Sequence, residues 1–479
     1  MRILLLIDQK WRDLPGHVLL KRVLEVRFGH RVLAGPIGSE GLLVPLFRPD
    51  VVVVNHLLES AKVRLARALR SAGVGVVALP TEGIPSLADV RLLAAGKYTD
   101  MSLVDLQLCW NRPMRDLIVE EKILPADRVH VIGVPRFDVY RGPASRLVAA
   151  PETVRRRYRL DPERPVVLLT SNFVNAGFIE ERMDFLEANS RDLALDRVPS
   201  YARPAENARR DHRTRELALA AMTRLLHDVP AIAVAIKPHP NENQRAYRRW
   251  LASVESRWPG RVALIEAEYI WDTLGIASVL VQRSCTTAVE AWFRGLPTLE
   301  FRLNPEEYYY SAEHAAGSEP VETYEQLRAS VSAYVHGRTV PAALRRAREA
   351  FIGRWVGPLD GRRTLACAAV IDQFANSRPA ARRVRFDRFW LRSFLRGVVK
   401  EAIYHPVRRV GDRARSSVGR VPLDFLGRAE KRVTFGDVQL WVRRIDRLGI
   451  VAEMTGAVAP GSAVWPKDAP AEVGGGPGR

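Results

Sequence analysis

Short apolar runs alternate with amphipathic stretches over most of this 479-residue chain. In the first part the runs are Arg2 to Ile7, Arg31 to Ala34, Val51 to Asn55, Val74 to Leu79, Leu106 to Trp110 and Val129 to Ile132. Between them lie stretches such as HVLLKRVLEVRF and AKVRLARALRSA, with apolar positions at helical spacing and Gly73 as a C-terminal stop. The runs are continuously hydrophobic rather than alternating. That implies cover on both faces, as in a parallel sheet. A doubly wound α/β domain is therefore expected over residues 1–145.

A second series follows the linker RGPASRLVAAPE, with strands expected at Val166 to Thr170, Ala231 to Lys237, Val262 to Glu266, Ser278 to Gln282 and Thr298 to Phe301. The Arg-rich interval from Phe173 to Pro230 reads as a loop followed by a helix such as TRELALAAMTRLLHD. Helices near 324–335, 341–355 and 361–374 complete a second doubly wound domain over residues 146–376. Two such domains enclose a cleft between the carboxyl ends of their sheets, where ligands of open α/β sheets bind. Polar residues follow the strands in both halves: Asp8, Asp13, Asn55, His56, Glu82 and Gly83 in the first, and Asn172, Lys237, His239, Arg283 and Ser284 in the second.

Residues 231–301 carry the clearest chemistry. One strand ends in Lys237, Pro238, His239 and Pro240, and the prolines restrict the backbone so that Lys237 and His239 are held near one place. Such a pair neutralises a diphosphate without a metal; the alternative is a polar turn with a structural histidine. The run VLVQRSCTTAVEAWFRGLPTLEF then reads as strand, polar loop, short helix and strand. In it Arg283, Ser284, Thr286 and Thr287 place hydroxyls and N–H groups at a helix start, which suits phosphate oxygens and equally suits a simple cap. Glu290 lies one turn beyond Thr286, on the same face. Cys285 reads as a small filler, since nothing in the sequence supplies the base or depressed pKa that a nucleophile needs.

Composition narrows the class. The hydrophobic fraction of 47% and charged fraction of 27% are those of a globular protein. The net charge of +19 is concentrated: after Asn376 there are 21 Lys and Arg against 10 Asp and Glu. With no recognition module in evidence, nucleic acid is not the expected partner. Three widely spaced cysteines fit a reducing compartment. RILLLID is too short and too soon charged for a signal peptide, and no apolar run reaches about 18 residues, so a cytoplasmic chain without a membrane span is expected. In the basic tail, 377–456, apolar Phe386, Phe389, Trp390, Phe394, Val398 and Val399 recur at helical spacing beside Arg385, Arg388, Arg392, Arg396 and Lys400. Residues 385–403 therefore read either as a helix for an anionic membrane surface or as one packed on the domains. Residues 457–479 have a disordered composition.

The combination of IDQKWRDLPG, a post-strand TEG, GVPRFD, KPHPNEN and RSCTTAVEAWFRGLPTLEF resembles the bacterial surface carbohydrate (surface polysaccharide) biosynthesis proteins. These are similar in turn to capsule polysaccharide transferases and to CDP-glycerol glycerophosphotransferases of teichoic acid synthesis. The resemblance spans roughly residues 1–375. It implies a GT-B fold: two Rossmann-like domains facing a cleft, with an acceptor site in the first and a nucleotide-donor site in the second, the basic helical tail lying outside it. It also implies that the carboxylate of Glu290 accepts hydrogen bonds from ribose hydroxyls.

The expected activity is metal-independent transfer of a sugar from a nucleotide-sugar, itself the substrate and no cofactor, to a glycan or lipid-linked acceptor. Glycerol-phosphate transfer from a CDP-alcohol and sugar-nucleotide epimerisation are alternatives on the same fold. A non-catalytic scaffold or a nucleic-acid binder using the basic tail is the alternative of another class. An inverting transferase needs a general base. Glu82 is the first candidate, because Gly83 lets a substrate approach the backbone, though a helix-capping role suits it nearly as well. Asp13 and His17, flanking Pro15 and Gly16, come next. In GVPRFD, Arg136 either orients substrate or locks the domains, and Asp138 is read as structural.

Overall fold

The computed structural model describes residues 1–57, 60–81, 102–180, 183–192, 202–306, 312–379, 388–399 and 432–456. Its first sheet holds β1 (Arg2–Ile7), β2 (Arg31–Pro36), β3 (Val51–Val54), β4 (Gly75–Ala78), β5 (Leu106–Cys109) and β6 (Val129–Val131), in the order β2-β1-β3-β4-β5-β6. The second holds β7 (Val166–Thr170), β8 (Ala233–Lys237), β9 (Val262–Leu264), β10 (Ala277–Gln282), β11 (Thr298–Phe301) and β12 (Glu319–Val321), in the order β12-β11-β10-β7-β8-β9. Every pairing is parallel.

The apolar runs fall where an all-parallel sheet requires them. All four valines of β3 are buried. In β1, Ile3, Leu5 and Ile7 enter one core while Leu4 and Leu6 enter the core on the opposite face. In β8, Val234 and Ile236 divide from Ala233 and Ala235 in the same way. Only β12 lay beyond the sequence pattern. It is three residues long, contains Pro320 and stands at a sheet edge, where proline is tolerated.

Helices around the two sheets include α1 (Lys10–Phe28), α2 (Glu40–Phe47), α3 (Pro204–Asp228), α4 (Ile270–Ile276), α5 (Thr287–Trp292), α6 (Arg363–Asn376), α7 (Arg388–Val399), α8 (Phe435–Arg447) and α9 (Ile450–Thr455). Helix α1 begins earlier than its apolar periodicity, so Asp13 and His17 lie on a helix rather than in a loop. Gly16 has a packing reason: a Cβ there would lie 3.3 Å from Cβ of Arg136, on the 3-10 turn Pro135–Tyr140 that crosses α1.

After the second sheet the chain returns to the first domain. Helix α6, which lies inside the range assigned to the donor domain, packs on α1 and on the Pro135–Tyr140 turn. Helices α8 and α9 also cover α1, and Trp441, Ile445, Ile450 and Val451 join the core of Leu14 and Val18. Much of the tail is therefore folded structure. That core runs on between the two sheets: Phe137 and Tyr140 stand edge-on to Phe293, with ring centroids 5.0 and 5.3 Å apart.

Asp138 ties the returning chain down. Buried at 2% exposure, it accepts the backbone N–H groups of Arg363 (3.0 Å) and Thr364 (2.7 Å) at the start of α6. The hydroxyl of Thr364 in turn donates to the carbonyl of Pro135. Replacing Asp138 by Ala orphans two N–H groups at a helix start, and is expected to lower stability by about 1–3 kcal/mol. Urea unfolding measures this; an unchanged midpoint would remove Asp138 as the tie.

Candidate functional site

Lys237 ends β8, the neighbour of β7 at the centre of the second sheet, and strand alternation puts its side chain on the face of Ala233 and Ala235. It is 8% exposed, and its ammonium makes no hydrogen bond with the described residues. Burial lowers its pKa to about 8, against the pull of Glu268 and Asp272. Those carboxylates have other partners. Glu268 pairs with Arg157, and Asp272 accepts the N–H of Ala149 at 2.6 Å, with burial raising its pKa to about 6.

His239 is set by its own loop. Its backbone N–H donates to the hydroxyl of Ser171 at 3.1 Å, and its Nδ1 accepts the N–H of Asn241 at 3.1 Å. A neutral ring therefore carries its proton on Nε2, as a donor. The anchor is Glu242, which accepts from Ser171 Oγ, from the Phe173 N–H (2.6 Å) and from the Tyr247 hydroxyl. Burial pushes Glu242 up to about 7. Glu242 and Ser171 were not singled out in the sequence. Glu242 lies inside KPHPNEN, but its role depends on the Ser171 hydroxyl and the Phe173 N–H in the loop after β7 and on Tyr247 of the helix Arg245–Val254.

The loop after β10 is built differently from the expectation. Arg283 is 2% exposed and forms an ion pair of 2.9 Å with the fully buried Asp211 of α3. It also donates to the carbonyl of Asn172, whose side-chain amide returns a bond to the Arg283 carbonyl at 3.3 Å. Arg283 and Asn172 thus knit the ends of β7 and β10 together, with the Arg283 guanidinium directed at Asp211. Ser284 adopts φ +38°, and both its N–H (2.7 Å) and its hydroxyl (3.1 Å) turn to Glu300. Burial raises Glu300 to about 6.

The Cys285 N–H goes to Gln282 at 2.7 Å, and its sulfur lies 3.2 Å from Thr287 Oγ1. Burial pushes this thiol up, which disfavours a thiolate. Of the expected phosphate-binding loop, the half-buried Thr286 is the residue whose hydroxyl makes no hydrogen bond with the described residues.

Glu290 keeps its place one turn beyond Thr286, yet it faces the other domain. It is 3% exposed, accepts the Tyr140 hydroxyl at 2.7 Å and lies 3.5 Å from the Arg136 guanidinium. Burial raises its pKa, with Arg136 and Tyr140 opposing. In this arrangement Glu290 links its helix to Tyr140 and Arg136 of the first domain. Arg136, stacked on Phe137 (4.8 Å) and Trp110 (5.4 Å), belongs to the same link.

On the opposite wall, Asp13 is 2% exposed and holds Arg12 through both oxygens, at 2.8 and 3.0 Å. Arg12 also reaches Asp8 and Thr81, and Asn55 donates to Asp8. Asp13 is thus poorly placed to take a substrate proton. His17 is better placed. Its Nδ1 lies 2.9 Å from the Asp13 carbonyl, which only accepts, so Nδ1 carries the hydrogen and Nε2 is left as the basic nitrogen. His17 lines a cavity of about 30 Å³ together with Asp13, Gly16, Pro80, Thr81 and Arg136. Glu82 lies outside the described residues. Among the described residues no cluster of three His, Cys, Asp or Glu side chains is arranged to hold a metal ion.

No protein-family model matches the chain, and no curated protein matches it in sequence. Solved structures do resemble it. MnaA of S. aureus, in a co-structure with UDP, superposes with a TM-score of 0.50 at 12% identity, covering 79% of this chain and 99% of that one. The wall teichoic acid polymerase TagF, in a variant soaked with CDPG, does so with a TM-score of 0.50 at 10% identity, covering 79% of this chain and 89% of that one. At such identities the likeness speaks for architecture alone, and that architecture is the GT-B fold, two Rossmann-like α/β domains facing one cleft.

Proposed function

We propose that this chain is a glycosyltransferase that moves a sugar from a nucleoside-diphosphate donor to a hydroxyl of a cell-surface polysaccharide precursor. The observation that carries the reading is Lys237: a lysine 8% exposed whose ammonium has no hydrogen-bond partner among the described residues, two positions from His239, at the carboxyl end of β8, where α/β sheets bind ligands. An unpaired buried cation is costly, and an anion that completes it is the natural complement. The acceptor class rests on the resemblance of GVPRFD and KPHPNEN to the surface carbohydrate proteins.

In the proposed reaction the acceptor oxygen bonds to the anomeric carbon as the bond from that carbon to the β-phosphate oxygen breaks. The electron pair leaves with the nucleoside diphosphate, whose charge Lys237 and the Nε2–H of His239 stabilise. The acceptor proton passes to Nε2 of His17. Glycerol-phosphate transfer and epimerisation would use the same cationic pair, because each acts at a bond to phosphate. The donor that binds separates glycerol-phosphate transfer from the other two, and the product formed from a bound nucleotide-sugar separates transfer from epimerisation.

Calorimetric titration with UDP-, GDP-, CDP- and CMP-linked compounds is expected to show binding of one class. Lys237→Met should weaken it about 10- to 100-fold, the scale of a charged hydrogen bond. The same substitution should stabilise the free protein by about 0.5–2 kcal/mol, since burial of the charge outweighs the attraction of Glu268 and Asp272. The folded pKa is depressed from 10.5 to about 8, so the penalty is full below pH 8 and disappears as the pH rises toward 10.5. Wild-type donor affinity should correspondingly fall above pH 8, where binding requires proton uptake. Failure of every donor class to bind would end the reading.

His17→Gln is expected to lower kcat about 100-fold or more while leaving donor affinity within about twofold. Unchanged turnover would remove His17 as the base.

A further inference from the structure

We infer that α7 is an element for docking on an anionic lipid surface, its inner side fastened to α2 and its outer side facing the bilayer. This holds whatever reaction the cleft performs. The inner side consists of Trp390, 2% exposed and part of the core of Leu4, Leu6, Leu43 and Val44, together with the buried Gly397. Two glycines let the backbones close up: a Cβ on Gly41 would run into the Ser393 carbonyl, and one on Gly397 would lie 3.3 Å from Leu42. The helix is thereby held in one rotational setting.

That setting turns apolar groups outward. Leu391, Leu395, Val398 and Val399 are 48%, 54%, 38% and 52% exposed. At about 100° per residue these four form one strip, and the exposed Arg388, Arg392 and Arg396 form a second strip beside it. The twelve residues of α7 include no acidic side chain, and no described carboxylate pairs with the three arginines. Leu46 of α2, at 64% exposure, is the most exposed apolar residue of the helix on which α7 sits. The sequence pattern had put Val398 and Val399 on the same side as Trp390; packing against α2 separates them.

Single exposed apolar side chains are ordinary, but a strip of four on one helix beside three cations with no pairing carboxylate among the described residues is the pattern of an interfacial helix. The charge selects the occupant. Two copies meeting through this face would oppose like charges, and a phosphate backbone alone would leave the aliphatic strip in water. An anionic bilayer takes both strips at once, with arginine at the headgroups and leucine and valine at the acyl boundary.

The test is co-sedimentation of the full-length protein with vesicles of equal parts phosphatidylcholine and phosphatidylglycerol, compared with phosphatidylcholine alone. Wild type is expected to favour the anionic vesicles by about tenfold or more, less so as salt is added. Leu391→Glu with Leu395→Glu should abolish binding. Arg388→Gln, Arg392→Gln and Arg396→Gln together should weaken it and flatten its salt dependence. All five positions are exposed, so circular dichroism and melting should match wild type. The inference is overturned if wild type ignores anionic vesicles or if the double glutamate variant binds as wild type does. It is also overturned if that variant instead dissolves a concentration-dependent dimer, which would assign the strip to a second copy.

Discussion

The turn Pro135–Tyr140 sets the relation of the two sheets, and the cleft depends on it. Phe137 and Tyr140 meet Phe293 edge-on, a geometry worth about 0.5–1.5 kcal/mol per pair beyond area burial. Tyr140 and Arg136 engage Glu290, while Asp138 holds the first turn of α6. Six consecutive residues thus join the first sheet, the second sheet and the returning helix. Gly16 permits this by letting the turn lie directly on α1.

Against that fixed frame the charged residues of the second sheet divide into two kinds. Arg283 and Asp211 satisfy each other in the interior, and Glu242 gathers donors from Ser171, Phe173 and Tyr247. These groups hold the strands and loops in register. Lys237 differs: burial depresses its pKa, and Glu268 and Asp272 are committed to Arg157 and to the Ala149 N–H. An isolated buried cation of this kind costs free energy that a bound anion offsets, whereas the charge of Arg283 is directed at Asp211 inside the protein. The opposite wall shows the same division between Asp13, saturated by Arg12, and His17, whose Nδ1 bond leaves Nε2 basic.

The C-terminal region shows how charge counting misleads. Its excess of arginine suggests one continuous basic arm. Instead Trp441, Ile445, Ile450 and Val451 supply cover that α1 needs on its second side, and Trp390 fills a gap beside α2. Among the described residues, α7 presents a narrower surface on which arginine and aliphatic side chains stand side by side.

The sequence by itself determined the layered architecture. Strands at Arg2–Ile7, Val166–Thr170 and Thr298–Phe301 match their apolar runs end to end, because burial on both faces demands an unbroken run and leaves a readable trace. Tertiary structure decided which polar residues are free. Arg283 is taken by Asp211, 72 positions away, and Glu290 by Tyr140, 150 positions away. It likewise chose the face that α7 turns outward, through contact with α2. Hydrophobic periodicity is a local property of the chain. The partner of a buried charge is chosen among side chains that only the folded arrangement brings within hydrogen-bonding distance, so the sequence displays the candidates and the fold selects among them.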